Sequence, residues 1–131
     1  MATISIPVVP PAAFAGVGGA TLANAQAGNG ASTNVGDRGS LNGPAAVRIT
    51  TAVGATPTCT YVIEGSVDGT NFVPIPIADP ATPTTMSVAS FVITTAGTIF
   101  KYLLVDFPWR FVRVTFSANT NVTNTVDVFT A

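Results

Sequence analysis

The sequence lacks histidine, contains a single cysteine and carries very little charge. Without histidine it has no imidazole general base, no imidazole metal ligand and no side chain that switches charge near neutral pH. With only Cys59 present, no intrachain disulfide can form. This residue lies in an apolar strand pattern, so we expect it to be a small core residue. Charged residues make up 8% of the chain, against about 25% in a typical soluble domain.

The few basic residues are scattered along the chain. They are Arg38, Arg48, Lys101, Arg110 and Arg113. Because nucleic-acid binding depends on clustered Lys and Arg that neutralise phosphates, nucleic acid is not expected as a partner. There is no run of 18 apolar residues, so no transmembrane helix and no membrane partner are expected. The N-terminus shows no signal-peptide pattern, which favours a protein made in a cytoplasm.

Residue patterns for chemistry are also missing. The six acidic residues are separated and stand mostly at predicted turns: Asp37, Glu64, Asp68, Asp79, Asp106 and Asp127. There is no converging carboxylate pair, no calcium loop, no nucleophile elbow and no phosphate loop. Cys59 has no histidine to activate it as a nucleophile. The sequence therefore predicts no catalytic, metal or cofactor site, and a protein that is not an enzyme.

Composition divides the chain near residue 44. Residues 1–43 are rich in Ala, Gly, Asn and Pro and show no sustained periodicity, which predicts an extended N-terminal arm. Residues 44–131 show strand patterns throughout and form the predicted β-domain. We expect the arm to order against its own domain, a sister subunit or another protein, with a flexible tail as the alternative. Its apolar anchors are Ile4, Ile6, Val8, Val9, Phe14, Val17 and Leu22.

The first part of the β-domain predicts three strands. Alternating apolar residues indicate strands over 46–53 and 58–67, with a turn at 54–57 between them. Asp68-Gly69 predicts a two-residue hairpin and a return strand over about 70–77. Pro74 and Pro76 cannot donate ladder hydrogen bonds, so this strand is expected at a sheet edge. A two-residue loop would place Gly65 opposite Phe72, with room for the ring.

The second part predicts four more strands, over about 86–95, 98–106, 109–117 and 124–130, with a turn at 118–121 before the last. Seven short strands joined by turns are typical of an antiparallel β-sandwich, jelly-roll or immunoglobulin-like. A small barrel is the alternative. No segment has a convincing helical pattern.

The strand over 109–117 has two distinct faces. Val112, Val114 and Phe116 share one face, which we assign to the core. Trp109, Phe111 and Arg113 share the other face and are of the types enriched at protein interfaces. The alternative is a strand that is buried on both faces.

Two stretches together carry a resemblance to a known family. One is the hairpin Glu64-Gly65-Ser66-Val67-Asp68-Gly69-Thr70-Asn71-Phe72-Val73-Pro74-Ile75. The other is Ala96-Gly97-Thr98 followed by Phe107-Pro108-Trp109-Arg110-Phe111-Val112-Arg113-Val114. They resemble the β-sandwich capsid decoration (cement) proteins of tailed bacteriophages. A similar hairpin and strand also occur in discoidin-like carbohydrate-binding domains.

The first resemblance implies a structural virion protein made in a bacterial cytoplasm and placed on the capsid exterior. It implies a homo-oligomer, with a trimer favoured, that clamps neighbouring major capsid proteins. The expected partner-binding residues are Ile4, Ile6, Val8, Val9, Phe14, Leu22, Trp109, Phe111 and Arg113. The alternative is a carbohydrate-binding or host-attachment module of a tail or fibre, with Trp109, Tyr61, Tyr102 and Asn71 as candidate sugar contacts.

Overall fold

The computed structural model describes residues 19–37, 45–79, 81–82, 84–86, 90–103 and 109–130. These residues contain no helix, and every strand pairing among them is antiparallel. The predicted all-β, antiparallel architecture is therefore confirmed. The strands are β1 (Gly19–Gln26), β2 (Gly30–Ala31), β3 (Gly36–Asp37), β4 (Ala45–Ser66), β5 (Val73–Pro74), β6 (Phe91–Ile93), β7 (Gly97–Leu103) and β8 (Phe111–Thr130).

Two long strands, β4 and β8, form the framework. They pair with each other from Ala45 opposite Thr130 to Ser66 opposite Phe111, with an interruption between Val53 and Thr60. β1, β2 and β3 pair with the other side of β8, while β5, β6 and β7 pair with the other side of β4. The result is one open sheet. β5, which contains Pro74, lies at an edge as the prolines predicted.

The turns predicted at 54–57 and 118–121 are wrong as strand-ending turns. Both segments lie inside the long strands and face each other across the ladder, where the β4–β8 register shifts between Val53 and Thr60. The predicted strands over 46–53 and 58–67 are therefore one strand, and so are those over 109–117 and 124–130. The composition of such a bend is the same as that of a hairpin turn, which is why the sequence pattern misled.

The whole sheet bends along one line, which we call the crease. We call the part with β1, β7, residues 45–53 and residues 122–130 half-sheet I. Half-sheet II contains β2, β3, β5, β6, residues 58–66 and residues 111–120. The chain crosses between the half-sheets four times: from β1 to β2, within β4, from β6 to β7, and within β8. Each crossing contains at least one residue with positive φ, which lets the chain change direction. The residues with positive φ at the crease are Ala25, Gly30, Thr56, Gly97, Ala118 and Asn121.

A buried hydrogen bond demonstrates how sharply the sheet bends. The hydroxyl of Tyr61 donates to Oδ1 of Asn124 at 2.5 Å. The ladder partner of Tyr61 is Phe116, and eight further residues of a straight strand would place Asn124 about 26 Å away. A tyrosine side chain cannot span that distance. The strand β8 therefore bends between Phe116 and Asn124, and the bend brings Asn124 to Tyr61.

The buried hydrophobic side chains form one core cluster. Its side chains come from both halves, and Val112, Val114 and Phe116 are buried as predicted. The Tyr61 ring stacks on Phe91 at 5.2 Å between centroids and meets Phe116 edge-on at 5.6 Å. The remaining large buried side chains are Leu22, Val47, Ile49, Ile63, Ile75, Ile77, Ile93, Leu103, Val122, Val126 and Val128.

Part of the predicted arm belongs to this sheet. Within residues 1–43, β1, β2 and β3 all pair with β8, and Leu22 is fully buried in the core. Residues 1–18 and 38–44 lie outside the described residues. Removal of residues 1–43 would therefore delete three strands and a core leucine, whereas removal of residues 1–18 leaves the described sheet intact.

Candidate interaction site

The hairpin that carries the family resemblance is a six-residue loop rather than a two-residue one. β4 ends at Ser66 and β5 begins at Val73. Asp68 organises the loop, because its Oδ1 accepts hydrogen bonds from the backbone N–H groups of Thr70 and Asn71, each at 2.8 Å. These N–H groups stabilise the carboxylate and hold the pKa of Asp68 well below its usual range, and the N–H of Asn71 has the largest effect.

Trp109 packs across this hairpin rather than outward. A Cβ placed on Gly65 would lie 2.9 Å from Cβ and Cγ of Trp109 and 3.0 Å from Cγ2 of Ile75. The space beside Gly65 is therefore filled by Trp109, not by Phe72 as the two-residue loop predicted. Gly65 instead pairs with Val73. Trp109 is half-buried against the core.

Phe111 and Arg113 lie on the outer face of half-sheet II and contact the same hairpin. The Phe111 ring lies 3.4 Å from where a Cβ on Gly69 would stand. The Arg113 guanidinium bonds Glu64 at 2.8 Å and stacks 4.0 Å above the centre of the Phe72 ring. Both side chains are only partly exposed. Their predicted role in partner binding stays a prediction.

The remaining predicted contact residues divide into two groups. Leu22 faces the core and is 0% exposed, so as folded it offers no surface to a partner. Ile4, Ile6, Val8, Val9 and Phe14 lie outside the described residues. Phe111 and Arg113 thus lie on the outer side of the hairpin and Trp109 on its core side, so the prediction that the three residues share one face is wrong for Trp109. The predicted contacts of the arm outside the described residues stay a prediction.

Among the candidate sugar contacts, Tyr61 is contradicted. Its ring is fully buried, so it cannot form a binding platform. Asn71 donates its side-chain amide to Asp68 at 2.8 Å and serves the loop. Tyr102 is half-buried on the outer face of half-sheet I, in the ladder position next to Ala46.

The charged side chains of the described residues are paired with one another. Arg48 bonds Asp127 and Arg113 bonds Glu64, each at 2.8 Å. Arg110 makes a two-point contact with Asp37 at 2.7 and 2.9 Å. Lys101 bonds Asp79. Asp68 is the exception among the described residues, because its carboxylate is bonded by groups of its own loop and not by a cation.

The polar groups inside the core do not form a reactive constellation. Cys59 is fully buried, and burial raises the pKa of its thiol. Asn124 lies within 3.9 Å of the Cys59 sulfur and accepts the Tyr61 hydroxyl. Burial also raises the pKa of Tyr61. These groups satisfy each other's hydrogen bonds away from solvent.

An open strand edge was not anticipated from the sequence. Antiparallel strands turn the N–H and C=O of alternate residues to opposite sides. Tyr102 turns both groups away from β4, to Ala78, at 2.7 and 2.8 Å. Thr98 and Phe100 have the same phase, and nothing in the described part of the chain pairs with their outward backbone groups. Phe100 is also 40% exposed.

A groove of about 650 Å³ lies beside this edge, between residues 98–101 and residues 79, 81 and 82. Other large apolar side chains are exposed elsewhere: Val53, Val67, Val73 and Val92. An open backbone edge and exposed apolar groups are features of protein-binding surfaces. The only sequence signal for this edge was the strand pattern after Ala96-Gly97, which does not reveal whether a strand is central or at an edge.

Across the described ranges, no three His, Cys, Asp or Glu side chains converge as metal ligands. No helix among the described residues is long and apolar enough to span a bilayer. No protein-family model matches the chain, and no curated protein shows significant sequence similarity to it.

Proposed function

We propose that this protein is a structural virion protein that binds the outer surface of a phage capsid and stabilises the shell by clamping neighbouring major capsid proteins. The observation that carries this proposal is the character of the described surface. Each of its four described cations is paired with a carboxylate, while an open strand edge and five large apolar side chains face solvent. Such a surface favours binding by shape, apolar contact and backbone pairing.

The internal pairing of charge argues against partners that are recognised by charge. Nucleic acids need several unpaired cations on one face, and each of the four described cations bonds a carboxylate. A protein partner that forms a large, repeated interface needs no net charge. Binding to the assembled shell and not to its free parts stabilises the shell by mass action.

The bent sheet suits a clamp because it resists deformation. We propose that half-sheets I and II form the two layers of a β-sandwich, supported by the Tyr61–Asn124 hydrogen bond and the shared core. β4 and β8 run through both layers. A load applied to one layer is therefore carried through continuous backbone to the other.

Binding to purified shells that lack this protein tests the proposal. We expect the full chain to co-sediment with such shells in saturable fashion. The exposed apolar residues are replaced by Asp one at a time. At least one of these substitutions should weaken binding about tenfold or more, since a charge buried in an interface is costly. The residues are Val53, Val67, Val73, Val92 and Phe100.

Thr94→Asp is the matched control for Val92→Asp, because Thr94 is also exposed and lies two residues further along the chain. Binding of this control should be unchanged. Saturable binding that survives all five substitutions would show that the exposed apolar groups do not carry the interaction. Absence of saturable binding would contradict the function itself.

A carbohydrate-binding module is the second candidate, and one observation favours it. Tyr102 and Phe129 flank Ala46 in register on the outer face of half-sheet I, an arrangement that leaves a shallow floor between two rings. The Arg48 guanidinium already lies 4.9 Å from the centre of the Phe129 ring. Glycan-array binding that is lost in Tyr102→Ala would support this function over the structural one.

A further inference from the structure

We propose that the open edge of β7 is the docking site for an extended, uncharged segment of the shell protein, which pairs with Thr98 and Phe100 as one short antiparallel strand. This inference rests on the proposed function, because it takes the partner to be the shell protein. It adds which backbone groups the partner meets and which kind of chain segment they accept.

The acceptor consists of two residues whose backbone groups have no partner in the described part of the chain. Ile99 and Lys101 turn their N–H and C=O groups toward β4, whereas Thr98 and Phe100 turn theirs to the other side, in phase with Tyr102. These outward groups recur about 7 Å apart along the strand. That is the spacing of every second residue in another extended chain, so the edge accepts a polypeptide backbone.

The position beside Phe100 is open because the chain itself turns away after Ala78. Ala78 bonds Tyr102 in antiparallel fashion at 2.7 and 2.8 Å. The turn that follows is closed by the Thr82 N–H at 3.1 Å, and the groove of about 650 Å³ lies between this turn and β7. An incoming segment therefore begins opposite Phe100, runs in the same direction as Ala78 and leaves the Ala78–Tyr102 bridge intact.

The side chains along the edge favour an apolar segment. Opposite residues of an antiparallel pair lie on the same face of a sheet. The residue opposite Phe100 therefore covers a ring that is 40% exposed, which favours an apolar side chain. The next residue of the segment points to the same face as Ile99, which packs partly buried against the core, so an apolar side chain is favoured there as well.

The charge around the groove favours an uncharged segment. Edge strands of natural proteins are commonly protected from pairing by a proline or by an exposed lysine. β7 contains no proline. The side chain of its one lysine, Lys101, is 14% exposed, bonds Asp79 and lies 4.6 Å from the centre of the Phe91 ring. The edge is therefore open to pairing, and no unpaired charge among the described residues of the groove favours a charged partner.

Two variants at residue 98 separate the role of the backbone from that of the side chain. Thr98→Pro removes the outward N–H, whereas Thr98→Val keeps it and removes the hydroxyl, which lies 3.3 Å from that of Thr50. On purified shells that lack this protein, Thr98→Pro should bind about tenfold or more weakly than the wild type, since a partner carbonyl loses its donor. Thr98→Val should bind as the wild type does. A cooperative urea transition verifies that Thr98→Pro is folded.

Hydrogen exchange in the wild-type chain tests the same pairing without a substitution. The amides of Thr98 and Phe100 should exchange fast in the free protein and about tenfold or more slowly on the shell. The amides of Ile99 and Lys101 point toward β4 and should exchange slowly in both states. Fragmentation mass spectrometry after quenching resolves the four residues.

The other outcomes overturn the inference in distinguishable ways. If the wild type binds saturably while the Thr98 and Phe100 amides stay fast, or if Thr98→Pro binds as tightly as Thr98→Val, the shell docks elsewhere and the proposed function stands. Slow exchange of both amides before shells are added would show that the edge is already filled, by a second copy if native mass spectrometry finds an oligomer and by the chain itself if it finds a monomer. Absence of saturable wild-type binding would contradict the proposed function and this inference with it.

Discussion

Gly65 is the position at which the packing of the hairpin can be tested most sharply. A methyl group there would lie 2.9 Å from both Cβ and Cγ of Trp109 and 3.0 Å from Ile75. The two Trp109 atoms adjoin the backbone, so rotation of the ring cannot relieve the clash. Overpacking of this kind costs about 1–3 kcal/mol. Alanine also lowers the conformational entropy of the unfolded chain, which stabilises the folded protein by about 0.4–1 kcal/mol. The net effect is that Gly65→Ala should lower the free energy of unfolding by about 1–2 kcal/mol.

Urea titration followed by fluorescence measures this directly, because Trp109 is the single tryptophan and lies at the clash. With a denaturant slope of about 1–3 kcal/mol/M, the midpoint should fall by about 1 M. Gly28→Ala is the control, since a Cβ there meets nothing within 4 Å, and its midpoint should stay or rise slightly. A Gly65→Ala midpoint equal to that of the wild type, with the control as expected, would refute the packing of Trp109 on Gly65.

Three other predictions concern single side chains. Tyr61→Phe leaves the buried Oδ1 of Asn124 without its 2.5 Å donor. The free energy of unfolding, measured by heat or urea, should therefore fall by about 1–3 kcal/mol. An unchanged midpoint would show that this hydrogen bond does not stabilise the bend. The pKa of Asp68 is lowered in the folded state, so its stabilising effect is present above the unfolded value of about 3.9 and is lost as the pH falls below it. The difference in urea midpoint between the wild type and Asp68→Asn should therefore shrink between about pH 5 and pH 2, and a constant difference would contradict the role of Asp68 in its loop. The Cys59 thiol is buried and its pKa is raised, so it should react with Ellman's reagent only as fast as the protein unfolds; immediate reaction with the native protein would place Cys59 outside the core.

Local pattern was sufficient to predict the core face of β8 and the edge position of β5. The alternation of Val112, Val114 and Phe116 predicted the core face of β8, and the burial of all three confirms it. Pro74 predicted an edge strand, because a missing N–H restricts where a proline can stand, and β5 lies at an edge. These are properties of a few adjacent residues, which a single sequence displays.

The features that the sequence did not predict all depend on distant residues. Residues 54–57 look like a hairpin turn, yet they become a bend because residues 118–121 bend beside them in the paired strand. Gly65 accommodates Trp109, which is 44 residues away in the chain. The open edge of β7 likewise follows from which strands pair, since Thr98 and Phe100 carry no pattern that distinguishes an edge from a central strand.

The central claim is that this chain is a structural component of a virus particle, and its copy number tests that claim most directly. Quantitative mass spectrometry of purified particles from the source lysate gives the ratio of this chain to the major shell protein. The account predicts many copies in a simple, fixed ratio to the shell protein. A handful of copies per particle, or none, would contradict it and would favour a tail-associated or carbohydrate-binding module.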